Sequence, residues 1–249
     1  EINSLVNLYN TGDMLKTENS SRNLVKKYPK SLISLNILGA SLLRQKKYKE
    51  SIKIYTQAIE INPSYAEAYS NRGVAYMELM YLENSTKDFK KAIEINPNYA
   101  EAYNNLGSSL KKLNKPNEAM ENYDLALKIN PNFSDAYSNR ASILIDFGEY
   151  IKAIDSCDKA ININPNKYEA FFNRGVAFDK IGEIKESINS YKQAIRINPG
   201  YLIAYINLGN LMHRSDLISL NDKTILKLFF VTLKFQYSYC ITIVILLGN

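Results

Sequence analysis

The sequence is poor in the residues that most often carry chemistry. It contains one histidine, His213, and two cysteines, Cys157 and Cys240. Two cysteines form no disulfide framework and show no metal-ligand spacing, and a single histidine cannot build a metal site alone. The chain also lacks a glycine-rich phosphate loop, a nucleophile elbow and a pair of histidine ligands. We therefore expect no catalytic residue, no cofactor and no bound metal, and we predict that the chain is not an enzyme.

A continuous basic stripe is missing as well. The 249 residues carry a net charge of +6, but the excess lies towards the two ends and the middle of the chain is close to neutral. A protein that reads nucleic acid is expected to carry basic side chains along its working face. We therefore expect no nucleic-acid partner. The polar start at Glu1 shows no secretory signal, which favours a cytoplasmic location.

Proline is scarce but regularly placed. Six of the seven prolines follow one another at intervals of 34 residues, and five of them come directly after asparagine. Proline cannot continue a helix, and it disfavours the helical conformation for the residue before it. A fixed period of this length indicates a stack of identical helical units. The six prolines are Pro29, Pro63, Pro97, Pro131, Pro165 and Pro199.

In each repeat one position of the first helix carries a small side chain, and one position of the second helix carries, in most repeats, an aromatic ring. We number positions from Leu32, Ala66, Ala100, Ser134 and Tyr168. Glycine inside a helix costs about 1 kcal/mol relative to alanine, so we predict close helix contacts where it recurs. Position 8 in the first helix is Gly39, Gly73, Gly107, Ala141 and Gly175, and position 24 in the second helix is Tyr55, Phe89, Tyr123, Cys157 and Tyr191.

This pattern, completed by an invariant alanine at position 27 and by Asn-Pro, resembles the tetratricopeptide repeat. The match covers residues 32–201 in five repeats and extends more weakly to 1–31 and 202–214. The resemblance implies an all-α fold, an α-solenoid of antiparallel helix pairs wound into a right-handed superhelix. The first helix of each pair would line the concave face. The chain departs from the pattern at Cys157, at Lys46 and Met80 in place of the turn glycine, and at three arginines in position 7.

The repeats divide the chain into four predicted parts. Residues 1–31 are a degenerate repeat, 32–201 are five full repeats, 202–235 are a partial repeat with a candidate capping helix, and 236–249 are an apolar tail. Three interpretations of the tail stay open: a buried or aggregation-prone segment, a membrane anchor, or a sequence artefact after a truncated repeat. The anchor rests on the length of Leu228–Leu247. Outside the tail, we expect no membrane partner.

Asparagine recurs at position 6 of the first helices, away from core positions 4 and 8, except in the first repeat, which has Ile37. The amide offers donors and an acceptor, as a peptide bond does, so we predict that the row binds extended peptide. The row resembles the asparagine ladder in the repeat domain of O-linked N-acetylglucosamine transferases, and the segments YSNR and YNNL are close to that family's sequence. Alternatively, the asparagines bond a neighbouring repeat and bind no ligand. They are Asn71, Asn105, Asn139, Asn173 and Asn207.

The function that this pattern favours is a protein–protein interaction scaffold that holds a peptide partner in a groove. The alternative is the substrate-recruiting arm of a transferase whose catalytic domain lies outside this chain. Acidic residues at position 2, such as Glu67 and Glu101, suit a helix N-terminus electrostatically, or else form a lip that attracts basic peptides. The sequence does not indicate an oligomeric state.

Overall fold

The computed structural model describes residues 1–214, so the candidate capping helix and the apolar tail lie outside the described residues. Within residues 1–214 every regular element is an α-helix, which confirms the predicted all-α fold. The helices are α1 (Ile2–Asn10), α2 (Met14–Lys27), α3 (Leu32–Arg44), α4 (Tyr48–Ile61), α5 (Ala66–Glu78), α6 (Leu82–Ile95), α7 (Ala100–Lys112), α8 (Pro116–Ile129), α9 (Ser134–Asp146), α10 (Tyr150–Ile163), α11 (Tyr168–Ile181), α12 (Ile184–Ile197) and α13 (Leu202–Arg214).

The helices form two compact units, Glu1–Ala136 and a second that starts at Tyr137. In the first unit each helix packs against the next one, from α1 to α8, and the first helices α3, α5 and α7 also touch in succession. In the second unit α10, α11, α12 and α13 pack in the same sequential way, and α11 touches α13. Each unit is therefore a helical repeat solenoid in which contacts run mainly between neighbours.

The Asn-Pro steps end the second helices, as predicted. Asn62 follows α4 with φ −134° and ψ 95°, an extended conformation that suits a residue before proline. Its backbone N–H donates to the Ala58 carbonyl, and its side-chain Oδ1 accepts from the backbone N–H of Ser64 at 3.0 Å. The asparagine therefore closes the helix and stabilises the following turn. The same side-chain bond recurs at Asn96, Asn130, Asn164 and Asn198.

The turn between the two helices of each pair contains one residue in the left-handed conformation, with a positive φ. Gly12, Gly148 and Gly182 adopt φ values of 84°, 77° and 85°. The equivalent residues in the other pairs, Lys46, Met80 and Asn114, adopt φ values of 59°, 61° and 60°. Asparagine tolerates this conformation better than most residues do, whereas lysine and methionine are strained in it. The fold thus keeps the turn even where the sequence departs from glycine.

The core of each full pair is built on the contact between positions 8 and 24, as predicted. A Cβ placed on Gly39 would lie 2.6 Å from the Tyr55 ring, and the equivalent distances are 2.8 Å for Gly73, 2.7 Å for Gly107 and 2.7 Å for Gly175. No side chain fits in that space. The close approach also lets Ser51 Oγ donate to the Gly39 carbonyl at 2.9 Å. Ring burial thus offsets the helix propensity that glycine loses.

The fourth repeat changes both residues of this contact together. Ala141 replaces the glycine and Cys157 replaces the ring, and both are fully buried. A methyl group added on one helix is thus matched by a smaller side chain on the other, which keeps the volume nearly constant. Burial raises the pKa of the Cys157 thiol, which keeps it protonated and unreactive.

The N-terminal pair joins the array through a buried carboxylate. Glu18 on α2 accepts hydrogen bonds from Arg22, Gln45 and Lys47, and Gln45 also donates to the Met14 carbonyl. Burial disfavours the charged form of Glu18, but the three donors outweigh burial and lower its pKa to about 2. The degenerate repeat is thus tied to the first full repeat by charged bonds as well as by apolar packing.

Candidate functional site

On the first helices α5, α7, α9, α11 and α13, one stripe is exposed or half-buried. It consists of positions 2, 6, 9 and 13, which are spaced by four, three and four residues and so share one helical face. On α7 these residues are Glu101, Asn105, Ser108 and Lys112, and all are exposed or half-buried. We call this stripe the asparagine face, and the predicted row of asparagines runs through it. All five asparagines of the row are half-buried.

Asn71 is bonded to the preceding repeat. Its Nδ2 donates to Asn36 Oδ1 at 3.3 Å. The Tyr55 hydroxyl donates to the Asn36 backbone carbonyl at 3.5 Å, and burial raises the pKa of Tyr55 well above its usual value. The amide nitrogen is therefore used inside the array. The Asn71 oxygen accepts no hydrogen bond within residues 1–214.

In the second unit, Asn173 follows the same pattern. Asn173 Nδ2 donates to the backbone carbonyl of Ser138 at 3.0 Å. Because a carbonyl only accepts, this bond fixes which end of the amide is nitrogen and directs the oxygen elsewhere. Burial raises the pKa of the Tyr191 hydroxyl to about 12, and an interaction with Asn207 opposes that rise. The Asn173 amide thus supports a contact between repeats.

Asn105 differs from the other members of the row. Its only hydrogen bond within residues 1–214 is one that its Oδ1 accepts from the neighbouring Asn104 Nδ2 at 3.5 Å, the long limit for such a bond. Its nitrogen therefore donates to no group in that range. Asn139, the remaining member, is engaged by at least one polar or electrostatic contact. Asn71 and Asn173 thus bond a neighbouring repeat, as the alternative interpretation has it, and peptide binding by the row stays a prediction.

The break in the row at Ile37 has a packing cause. Ile37 is buried and packs with Leu5 and Leu24 of the N-terminal pair. Leu5 occupies the position that is glycine in most repeats, and Ser21 occupies the position of the ring, so this pair has no large ring in the slot. Sequence reasoning missed Asn3, which lies two periods before Asn71 and is exposed on α1. The 34-residue interval alone could have identified it.

The arginines at position 7 lie beside the second helices and take no part in the asparagine face. Arg72 binds Asp88 through two hydrogen bonds of 2.7 and 2.9 Å and also donates to Thr56 Oγ1 at 3.0 Å. In the second unit Arg174 binds Asp158 at 2.7 Å and Ser190 at 3.2 Å. Each arginine therefore links its own pair to the preceding one, and bidentate bonds to a buried carboxylate are among the strongest of this kind.

Within residues 1–214, no group of histidine, cysteine and carboxylate side chains is placed to hold a metal ion. Among the helices of the same residues, none is both long enough and apolar enough to cross a bilayer.

Family profiles match most of the repeat array. A profile described as TPR repeat matches residues 39–79, 82–114 and 180–216, and two described as Tetratricopeptide repeat match 100–133 and 122–155. Together these segments cover more than half of the chain. The chain belongs to the tetratricopeptide repeat (TPR) family. TPR repeats typically mediate protein–protein interaction.

Solved structures share the TPR fold. The chain is similar to PilF of Pseudomonas aeruginosa, with 17% identity and a TM-score of 0.73 over 86% of this chain and 95% of that one. A chain of the APC/C hetero-tetramer Cut9-Hcn1 gives 15% identity and a TM-score of 0.76 over 91% and 47%. YrrB, described as a TPR protein with an unusual peptide-binding site, gives 21% identity and a TM-score of 0.55 over 74% and 95%.

One curated relative matches a short TPR segment. Hsp70-Hsp90 organizing protein 1 of Glycine max is 51% identical over 41 residues, which are 16% of this chain. The matched segment spans only 7% of that protein's length. The similarity therefore concerns about one repeat.

Proposed function

We propose that this TPR protein is a scaffold that binds an extended peptide along the asparagine face of its first helices. The observation that carries the proposal is the recurrence of a half-buried asparagine at one position of five first helices. Intrinsic helix propensity does not favour asparagine at these positions. The similarity to YrrB supports the proposal, because it associates a TPR array with a peptide-binding site.

The hydrogen bonds between repeats define how the row would recognise a peptide. At Asn71 and Asn173 one N–H of the amide donates to the preceding repeat, and the oxygen is left for a ligand. An amide oxygen accepts from a peptide N–H, which nearly every residue of an extended chain offers. Because one end of each amide is held, little side-chain freedom is lost when a peptide binds. Such contacts would favour extended backbone over any particular side-chain sequence.

The acidic residues at position 2 add a preference for charge. Glu67 and Glu101 are exposed in the first turns of α5 and α7. Each lies one helical turn before an asparagine of the row, so a lysine or arginine of the peptide would meet a carboxylate beside the backbone contacts. We expect a modest, salt-sensitive preference for basic peptides, because exposed ion pairs contribute about 0.2–1 kcal/mol.

A variant of the row tests the proposal. Asn71, Asn105 and Asn173 are replaced together by alanine, and peptides selected from a random-sequence library on the wild-type protein serve as probes in fluorescence anisotropy. If each amide contributes a net bond of about 0.5–1.5 kcal/mol, the triple variant should bind more weakly by roughly 2–4 kcal/mol. The loss should be similar for peptides of unrelated sequence.

Matched controls separate binding from stability. The exposed asparagines Asn84 on α6 and Asn189 on α12 lie on second helices, and replacing them by alanine should change neither affinity nor melting temperature. Methylation of a single peptide nitrogen removes its N–H donor. It should weaken binding where that N–H would donate to an asparagine of the row. If the triple variant melts earlier but binds every probe as tightly as the wild type, the asparagines are structural only. A selection that yields no binder would refute the scaffold proposal itself.

The likeness of the row to the asparagine ladder of O-linked N-acetylglucosamine transferases supports the same mode of binding. The alternative predicted from the sequence, a recruiting arm of a transferase, stays a prediction, since no described residue favours it over a scaffold.

A further inference from the structure

A cleft opens at the edge of the first unit, where the turns of two neighbouring helix pairs meet. Its volume is about 300 Å³, and it lies between the α3–α4 turn and the C-terminal end of α5. The Tyr48 hydroxyl donates to Glu78 Oε2 at 3.2 Å, which joins the two turns. We call this feature the turn cleft. Its lining consists of Lys46, Lys47, Tyr48, Lys49, Glu50 and Leu79.

The turn cleft carries positive charge that the protein does not balance. Its lining contains three lysines and one glutamate. Lys47 is paired with Glu18 at 2.7 Å, and the glutamate, Glu50, is bonded to an arginine of α2 at 2.6 Å. Lys46 and Lys49 are exposed and form no ion pair within residues 1–214. Two ammonium groups are therefore left for an acidic partner.

Two strained residues belong to the same cleft. Lys46 lines it, and Met80 comes directly after Leu79. Both have a positive φ, at the turn position that is glycine in three of the other pairs. Lys46 is exposed and the Met80 side chain is 60% exposed, so burial does not offset the strain of either residue. Strained residues that contribute little to the fold point to a functional contact.

Apolar groups continue from the cleft onto the surface. Leu79 is half-buried, and Tyr81, which follows Met80, is 51% exposed. Tyrosine and methionine are enriched in protein–protein interfaces. A volume of about 300 Å³ is at the lower end of the range for ligand sites, so the cleft suits one large side chain rather than a cofactor.

We propose that the turn cleft is a docking surface for an acidic protein segment that carries one large apolar side chain. The apolar side chain enters the cleft against Leu79 and the Tyr48 ring, and carboxylates on either side of it meet Lys46 and Lys49. A protein segment supplies both kinds of group, and TPR repeats typically mediate protein–protein interaction. The turn cleft lies outside the asparagine face, so this inference does not rest on the proposed function.

Synthetic peptides test the chemistry of the partner. The first probe is a fluorescein-labelled peptide of aspartate and glutamate with one central phenylalanine, titrated with the whole chain and followed by fluorescence anisotropy. Replacing the phenylalanine by alanine should weaken binding roughly tenfold, because the ring fills the cleft. Replacing the acidic residues by asparagine and glutamine should abolish binding. Added salt should weaken it, because the ion pairs are exposed.

Variants of the protein locate the binding site. Lys46→Gly and Met80→Gly should each weaken binding roughly 2- to 5-fold, although both should raise the melting temperature because they relieve strain. A purely structural role would raise the melting temperature and leave the affinity unchanged. Lys128→Gln removes the same charge from an exposed lysine on α8 and is the matched control, with no expected change in affinity.

A charge reversal gives a second, independent test. Lys46→Glu combined with Lys49→Glu should lose the acidic peptide and should bind a peptide in which lysines replace the acidic residues. Both lysines are exposed, so this variant should fold as the wild type does. Failure of the wild type to bind the first probe, or equal binding by the reversed variant, would refute the proposal.

Other occupants of the cleft give different results. If the peptide without the phenylalanine binds as tightly, or if an oligonucleotide or an anionic lipid vesicle binds more tightly through the same lysines, the cleft does not select an acidic protein segment. If the chain associates with itself and the charge reversal abolishes this, the occupant is a second copy. If the triple asparagine variant loses the probe while the lysine variants keep it, this inference fails and the proposed function stands.

Discussion

The exchange of Ala141 and Cys157 provides the sharpest test of how the repeats pack. In four repeats a glycine at position 8 makes room for a buried ring, and in the fourth repeat an alanine faces a cysteine. The pair Ala141→Gly and Cys157→Phe would convert this contact into the one between Gly73 and Phe89. Each single change should destabilise the protein, and the two together should recover most of the loss.

The magnitudes follow from the distances. A Cβ on Gly73 would lie 2.8 Å from the Phe89 ring, so a phenylalanine at residue 157 would collide with the Ala141 methyl. Overpacking of this kind costs about 1–3 kcal/mol. Ala141→Gly alone loses about 1 kcal/mol of helix propensity and leaves a methyl-sized void that costs about 1 kcal/mol. In the double variant the ring fills the space, so we expect a coupling free energy of about 1–3 kcal/mol.

The assay is urea unfolding of the four proteins in the cycle, followed by circular dichroism at the helical band. The same exchange in reverse, Gly107→Ala with Tyr123→Cys, is the control in the first unit and should show a coupling of the same sign. Single-variant losses that add within about 0.5 kcal/mol would show that the two positions do not share one slot, which refutes the packing argument.

Three further predictions concern individual contacts. Met80→Gly and Lys46→Gly should each raise the unfolding free energy by about 1 kcal/mol, measured by urea unfolding, because both residues hold a left-handed conformation. Asp88→Ala should lower the unfolding free energy by about 3 kcal/mol, since the change leaves Arg72 half-buried without its carboxylate. A loss below about 0.5 kcal/mol would contradict this prediction. Glu18, whose pKa falls from 4.5 to about 2 on folding, should contribute stability above pH 4.5 that is lost as the pH falls towards 2. Glu18→Gln should remove that part of the acid dependence, as pH-resolved melting curves can show.

The sequence predicted the fold well because its signals are local and repeated. Proline ends the second helices, and the small residue at position 8 faces the ring at position 24, so helix ends and faces follow from spacing alone. The turns at Lys46 and Met80 keep the shape that glycine has in the others. Neighbouring turns and packing decide the backbone there, and the strain of one residue is too small to change the fold.

The bonds of the asparagine row could not be predicted in the same way. Spacing places Asn71 and Asn105 on one face, but it does not show how far a side chain reaches into the preceding repeat. That depends on the offset between successive first helices, such as α3 and α5. The sequence shows that Ala141 and Cys157 both depart from the pattern, and the distances from a Cβ to the ring in the other repeats explain why the two change together.

The arginine contacts at position 7 depend on which repeat comes before each arginine. Arg72 meets Thr56 of the repeat before it, and Arg174 meets Asp158. In the third repeat position 7 is Leu106. The residue of the preceding repeat that is equivalent to Thr56 and Asp158 is then a cation, Lys90. A repeat with arginine at position 7 that stacked directly on the second repeat would place this arginine against Lys90. Charge at these positions thus disfavours some incorrect orders of the repeats.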